Sequence, residues 1–300
     1  MKKWYFLAFA ILVFACSSEK TQTVNEESIA QTEPIGESDH EEIAEKLLEA
    51  VNSDDLLTKA IGYYVGDFNA AGYDDSKNIT HFNKINISVD SFAENTIFGH
   101  SVVAGNSRPF TGTYSTESNT ITAEAREPGD DKYDGVFSFT LKPFENEMTG
   151  TWNAYNKNLG VYKRNYYLQR ARFAYQPELE LPKEVGWEGL SDHYPELDEI
   201  GEFLTKDVVK KNPSTQRLTK EDVENMYRGD LEIMRNSIYA RHGYSFKNRK
   251  VRFIFDRYVD WYVPVSIDIR ENLTELELAN IDLIKRYEEH AEVYYDSYGR

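Results

Sequence analysis

Arg241, His242 and Gly243 stand in a row inside the stretch MRNSIYARHGYSF (234–246), with Tyr239 before them and Tyr244 and Phe246 after. An imidazole moves a proton near neutral pH, and a neighbouring guanidinium holds an anion, so the pairing suggests a hydrolase or amidase using His242 as acid or base. Such chemistry needs a nucleophile, a metal or a second base close to His242, and the nearby sequence offers only Asp256 and Asp260. The single thiol, Cys16, lies far away near the N-terminus. None of the six histidines sits in HExxH or another zinc-spaced pair, and GxSxG, Walker and dinucleotide fingerprints are absent. EPGDDKYDG (127–135) clusters Asp130, Asp131 and Asp134 but lacks EF-hand spacing and a closing Glu, so a solvated hairpin loop is the expectation. No catalytic residue, metal site or cofactor is assigned, which favours a binding or structural protein over an enzyme.

The same string also reads as a helix ending. With Gly243 as the left-handed residue just past a helix, His242 becomes the C-cap, and Tyr244 returns onto Tyr239 as in a Schellman terminus. Arg241 and His242 would then face the negative end of the helix dipole. Both readings stand on sequence alone, the structural one stronger for the glycine and tyrosines than for Arg241 and His242.

The elements that must position these residues form a small all-helical unit over 215–290. Thr219 caps a short helix over 220–227, Gly229 breaks it, and Asp230 caps a second helix with Leu231, Met234 and Ile238 inward. Asn248 starts a third helix, and Pro264 closes that segment after Trp261 and Tyr262. Thr274 and Glu277 make a capping box for the last helix, with Leu273 and Leu278 as its hydrophobic staple and 291–300 as a tail.

IYARHGYSF, preceded by MRN and followed by WYVP and LTELELANIDLIKRYE, resembles the YARHG domain over about a quarter of the chain. The resemblance implies an exported bacterial protein or lipoprotein with a cell-wall-associated role, and no particular ligand. Between Arg235 and Arg257, seven Lys/Arg stand against the single acid Asp256, and eight aromatics interleave with and follow them from Tyr239 to Tyr262. An anionic glycan such as peptidoglycan or lipopolysaccharide would suit the set Arg235, Tyr239, Arg241, His242, Tyr244, Trp261 and Tyr262. A solvated basic face paired with the acidic connector explains the run equally well.

Residues 61–175 carry eight short stretches rich in Val, Ile, Thr, Tyr and Phe, separated by turns such as Gly105-Asn106 and Glu117-Ser118-Asn119. This spacing predicts an up-and-down antiparallel β-barrel, with a helix at 40–60 leading in. The fold class is therefore α+β, a barrel followed by a helical domain. A barrel carrying a small apolar ligand is an alternative, against which the many Phe and Tyr argue mildly. Residues 176–214, with four prolines and ten acids, read as a connector between separately folding domains, parts of which Trp187, Leu190 and Phe203 would pin.

At the N-terminus, Met1-Lys2-Lys3 precedes an apolar run at 4–15, too short to span a bilayer and the length of a secretory leader. VFAC (13–16) resembles the lipobox of bacterial lipoproteins, which implies cleavage before Cys16, acylation of its thiol and attachment to a membrane. By the same resemblance, Ser17 in place of Asp favours the outer membrane, without fixing the face. Loss of the leader takes the net charge from −17 to −19, much of it in the acidic tether at 16–39 and the segment following it. So acidic a chain excludes nucleic acid as a partner of the whole molecule. The oligomeric state is not readable.

Overall fold

A computed structural model describes residues 49–50, 52–190 and 203–294, all within one compact unit spanning Glu42–Arg300. Cys16, the leader, the tether and residues 40–48 and 51 of the expected helical segment at 40–60 lie outside the described residues.

A short helix α1 (Leu56–Ala60), capped by the Asp55 carboxylate, leads into eight strands. These are β1 (Gly62–Tyr73), β2 (Lys84–Ala93), β3 (Thr96–Val103), β4 (Asn106–Glu117), β5 (Thr120–Arg126), β6 (Gly135–Lys142), β7 (Glu147–Ala154) and β8 (Val161–Ala171). Each pairs antiparallel with the next, and β1 pairs with β8, closing the expected up-and-down barrel. The β3–β4 turn is Ala104-Gly105, one residue earlier than expected, since both adopt the positive φ that a two-residue hairpin requires.

Alternation along the strands sends Tyr64, Phe68, Ile85, Ile87, Phe110, Phe137, Trp152 and Tyr166 inward, where they form one buried core. An eight-stranded barrel has room for little more than its own side chains. Glycines make that filling possible: Gly99 faces Phe110 and Gly150 faces Tyr166 across neighbouring strands, and a Cβ at either would collide with the facing ring. At one mouth, Arg170 binds the carbonyls of Lys59 and Ile61 and the hydroxyl of Tyr64, tying α1 to the barrel. Toward the other, Arg164 donates to the carbonyls of Phe68, Thr80 and His81.

The helical part comprises α2 (Trp187–Leu190), a 3-10 turn at Lys206–Val209, α3 (Lys220–Val223), α4 (Arg228–Arg241), α5 (Arg249–Tyr258), a second 3-10 turn at Arg270–Asn272, and α6 (Glu275–Tyr294). Gly229 does not break a helix. Helix α4 starts at Arg228, and Asp230 in its first turn accepts from Thr205 N and Oγ1 (both 2.7 Å) instead of capping. Asn248 caps α5 as expected, and Thr274 with Glu277 forms the capping box of α6, which continues through Tyr294. Leu278 is 46% exposed.

Residues 176–190 and 203–214 are not a free connector. Leu181, Trp187, Leu204 and Val208 are buried in the same core as Ile233, Phe246, Phe255 and Tyr262. The barrel and the helices are docked as well. Lys84 N–H donates to Asp256 Oδ2 (2.8 Å), while its ammonium reaches the carbonyls of Val259 and Tyr262 (3.2 Å each). Asn86 donates to Pro264 O (3.0 Å), and Gly105 N–H donates to Ser245 Oγ (3.0 Å).

Candidate functional site

The signature string is the end of α4. Gly243 has φ 71°; its N–H donates to Ala240 O (2.9 Å) and Tyr244 N–H donates to Tyr239 O (3.0 Å). This is a Schellman terminus, completed by the edge-on contact of the Tyr239 and Tyr244 rings at 6.1 Å. Gly243 is required twice over, because a Cβ there would also strike Val265 and the Phe173 ring.

Arg241 and His242 do not lie exposed along the helix dipole. Arg241 is 2% exposed; its Nε donates to Leu179 O and its Nη1 to Ser237 Oγ (2.8 Å each), with the guanidinium over the Trp261 ring. Burial brings its pKa down to about 10. His242, 6% exposed, shares a 2.8 Å hydrogen bond between Nε2 and Glu277 Oε2, and Tyr175 stacks on its ring at 4.2 Å. Burial pushes Glu277 up, but hydrogen bonds led by that of His242, with the Thr274 N–H, hold it at about 2. The Tyr175 hydroxyl donates to the other oxygen of Glu277 (3.1 Å).

Of the remaining expected ligand-binding residues, Arg235 pairs with Glu288 (2.8 Å) and lies by the Tyr239 ring. Tyr262 is buried, donating from its hydroxyl to Tyr244 O (2.8 Å), and Trp261 donates to Glu180 O (2.8 Å). The structure thus brings Arg241, Trp261 and His242 together under residues 173–180, and directs Arg235 and Tyr262 elsewhere. Tyr175, Leu179 and Glu277 complete the arrangement. Glu277 was visible only as a capping-box residue; Leu179 contributes a main-chain oxygen, for which side-chain identity carries no signal.

Much of the basic run faces the barrel, while Arg241 reaches the connector at Leu179 O. Arg249 donates to Asn78 Oδ1 and Ile79 O, Arg252 donates to Asn83 Oδ1, and Arg257 lies over the Phe82 ring. Three of its seven cations thereby grip the β1–β2 loop. Lys247 and Arg257 are exposed, and Arg249 and Lys250 half-buried.

Two further buried acids have raised pKa values. Glu127, near the barrel mouth, accepts from Ser101, Gly135 N and Trp152 Nε1, and burial raises it to about 7. Asp256, at the docking interface, is likewise raised by burial to about 7. In the 127–135 loop, Asp134 is buried rather than solvated, paired with Arg108 (2.7 Å) and accepting from Gly129 N–H (2.7 Å). Among the described residues no group of three or more His, Cys, Asp or Glu is placed to hold a metal ion, and no helix is long and apolar enough to cross a membrane.

No curated protein and no solved structure matches the chain. Residues 206–289 match the family model of the YARHG domain, the span that contains the Schellman terminus, the His242–Glu277 pair and the docked basic run. The helical C-terminal region of this chain carries a YARHG domain.

Proposed function

We propose that the protein is a lipid-anchored binding protein of the cell envelope, engaging an anionic glycan through the outer face of its YARHG domain. The observation that carries this reading is the inward placement of every side chain in the signature suited to chemistry. Arg241, His242 and Glu277 are buried, His242 bonded to Glu277 and Arg241 to Leu179 O and Ser237, and the barrel is filled by its own aromatics. That leaves the outer surface as the working part. Lys247 and Arg257 reach solvent there, and carboxylates or phosphates of a cell-wall or surface glycan would complement them. The leader-like N-terminus and the lipobox-like VFAC support an envelope location, with the acidic stretch at 16–39 as spacer.

The test is retention of the soluble 17–300 chain on purified sacculi and on outer-membrane vesicles. Retention on one of the two should fall as salt rises, since exposed charges are screened over about 8–10 Å. Lys247→Glu should reduce it several-fold without altering the melting curve. Retention on neither surface overturns the proposal.

A further inference from the structure

The chain leaving β8 joins neither a sheet nor a helix until Trp187, yet its carbonyls at Pro177, Leu179, Glu180 and Pro182 each accept from a side chain. Phe173 packs on the bare face of Gly243, and Tyr175 stacks on His242. Asn212 donates to Pro177 O (2.9 Å), Arg241 to Leu179 O (2.8 Å) and Trp261 to Glu180 O (2.8 Å). The strap therefore runs antiparallel to the signature: residues 173, 175 and 179 meet Gly243, His242 and Arg241 in turn. Three side-chain donors read consecutive stretches of backbone, and two ring seats sit two residues apart. Side-chain donors stand in here for the main-chain partners that a strand or helix would supply. A cation as buried as Arg241 is retained only where its hydrogen bonds offset its desolvation.

We propose that the YARHG signature is a peptide-binding clasp, occupied in this chain by its own residues 173–180, which fastens the preceding barrel to the domain. Its ligand is an irregular peptide with aromatic rings at two positions separated by one residue, followed by main-chain acceptors four and five residues after the second ring. Glycine, histidine and arginine each have a task in it. Gly243 leaves room for the first ring, His242 is the floor under the second, and Arg241 reads the carbonyl. The clasp accounts for the signature independently of what the outer surface binds.

A fluorescent peptide spanning residues 171–182 tests this on the full chain. With Phe173→Ser and Tyr175→Ser loosening the strap, the peptide should bind saturably, and at least ten-fold more tightly than to wild type. In the wild type the intramolecular segment competes at high effective concentration. Replacing the tyrosine of the peptide by serine should weaken binding at least ten-fold. Equal binding to both chains, or binding to neither, overturns the clasp. Should the double variant fail to fold, Tyr175→Ala and Arg241→Lys are digested with a glutamyl endopeptidase, which cuts after Glu178 and Glu180. Initial cleavage at least ten-fold faster than wild type is expected, with the barrel left intact, and an unchanged rate counts against the proposal.

Discussion

His242 Nε2 and Glu277 Oε2 lie 2.8 Å apart, and through them the C-cap of one helix is tied to the first turn of another. The same Glu277 oxygen accepts from Thr274 N–H and Oγ1 (3.1 Å each), and its second oxygen takes the Tyr175 hydroxyl. One carboxylate thus caps α6, anchors the end of α4 and holds the strap.

Acid should loosen this junction. Glu277 is held at about 2 against an ordinary 4.5, so its folded value lies below its unfolded one. Its contribution is complete above about pH 4.5 and is lost as the pH falls toward 2. Glu277→Ala should cost about 3 kcal/mol at pH 7, the scale of a broken buried pair. Glu277→Gln should flatten the fall in melting temperature between pH 5 and 3, measured by calorimetry; an unchanged profile would place the acid sensitivity elsewhere.

Glu127 and Asp256 act with the opposite sign. Burial raises both to about 7, above their unfolded values, so their contribution is greatest below about pH 4 and declines as the pH rises through 7. Wild type should lose stability between pH 5 and 8, on the order of 2 kcal/mol for each group. Glu127→Gln, which can still accept from Trp152 and Gly135, should remove part of that slope. Melting curves at four pH values across this range distinguish the two chains.

Gly243→Ala should destabilise the protein by at least about 1 kcal/mol, since a left-handed alanine is strained and here meets Val265 and Phe173 as well. Chemical denaturation reads this directly, and a loss below about 0.5 kcal/mol would contradict the packing described.

Barrel and helices should unfold together. Lys84, Asn86 and Gly105 of the barrel bond to Asp256, Pro264 and Ser245, and Arg252 bonds back to Asn83. Far-ultraviolet dichroism, weighted to helix, and tryptophan fluorescence, which includes Trp152 in the barrel, are expected to give coincident transitions. Two separated midpoints would mean that the docking interface is too weak to couple them.

Cys16→Ser should leave an unacylated precursor that stays in the aqueous phase on detergent partitioning, because acyl chains supply about 0.8 kcal/mol per buried methylene. A variant that matures and partitions like wild type excludes the lipobox reading.

The barrel was legible because its strands alternate: Ile85, Ile87 and Val89 point one way, and all eight strands fall where that pattern recurs. The Schellman terminus was legible for a similar reason, since a local hydrogen-bond pattern leaves a local residue pattern. The charged residues of the signature misled because Arg241 and His242 are read as exposed by type, whereas their burial depends on acceptors 62 and 35 residues away. The docking of Arg249 and Arg252 on the β1–β2 loop was hidden in the same way, its partners being the carbonyl of Ile79 and two asparagine amides. Asp230 looked like a cap because of its place after Gly229; its real partner, Thr205, lies in a segment with no periodicity to reveal it.

The family match begins at residue 206, thirty-three residues after Phe173. A fragment trimmed to that boundary would bring Asn212, Arg241 and Trp261 to the solvent without the carbonyls they hold here, and would expose the face of His242 that Tyr175 covers. Excised in this way, the region would be expected to be sticky, poorly soluble or mistaken for a ligand-hungry receptor. Starting the fragment before Arg172 would keep the strap on the signature, while the barrel residues that bond Asp256, Pro264 and Ser245 would still be missing.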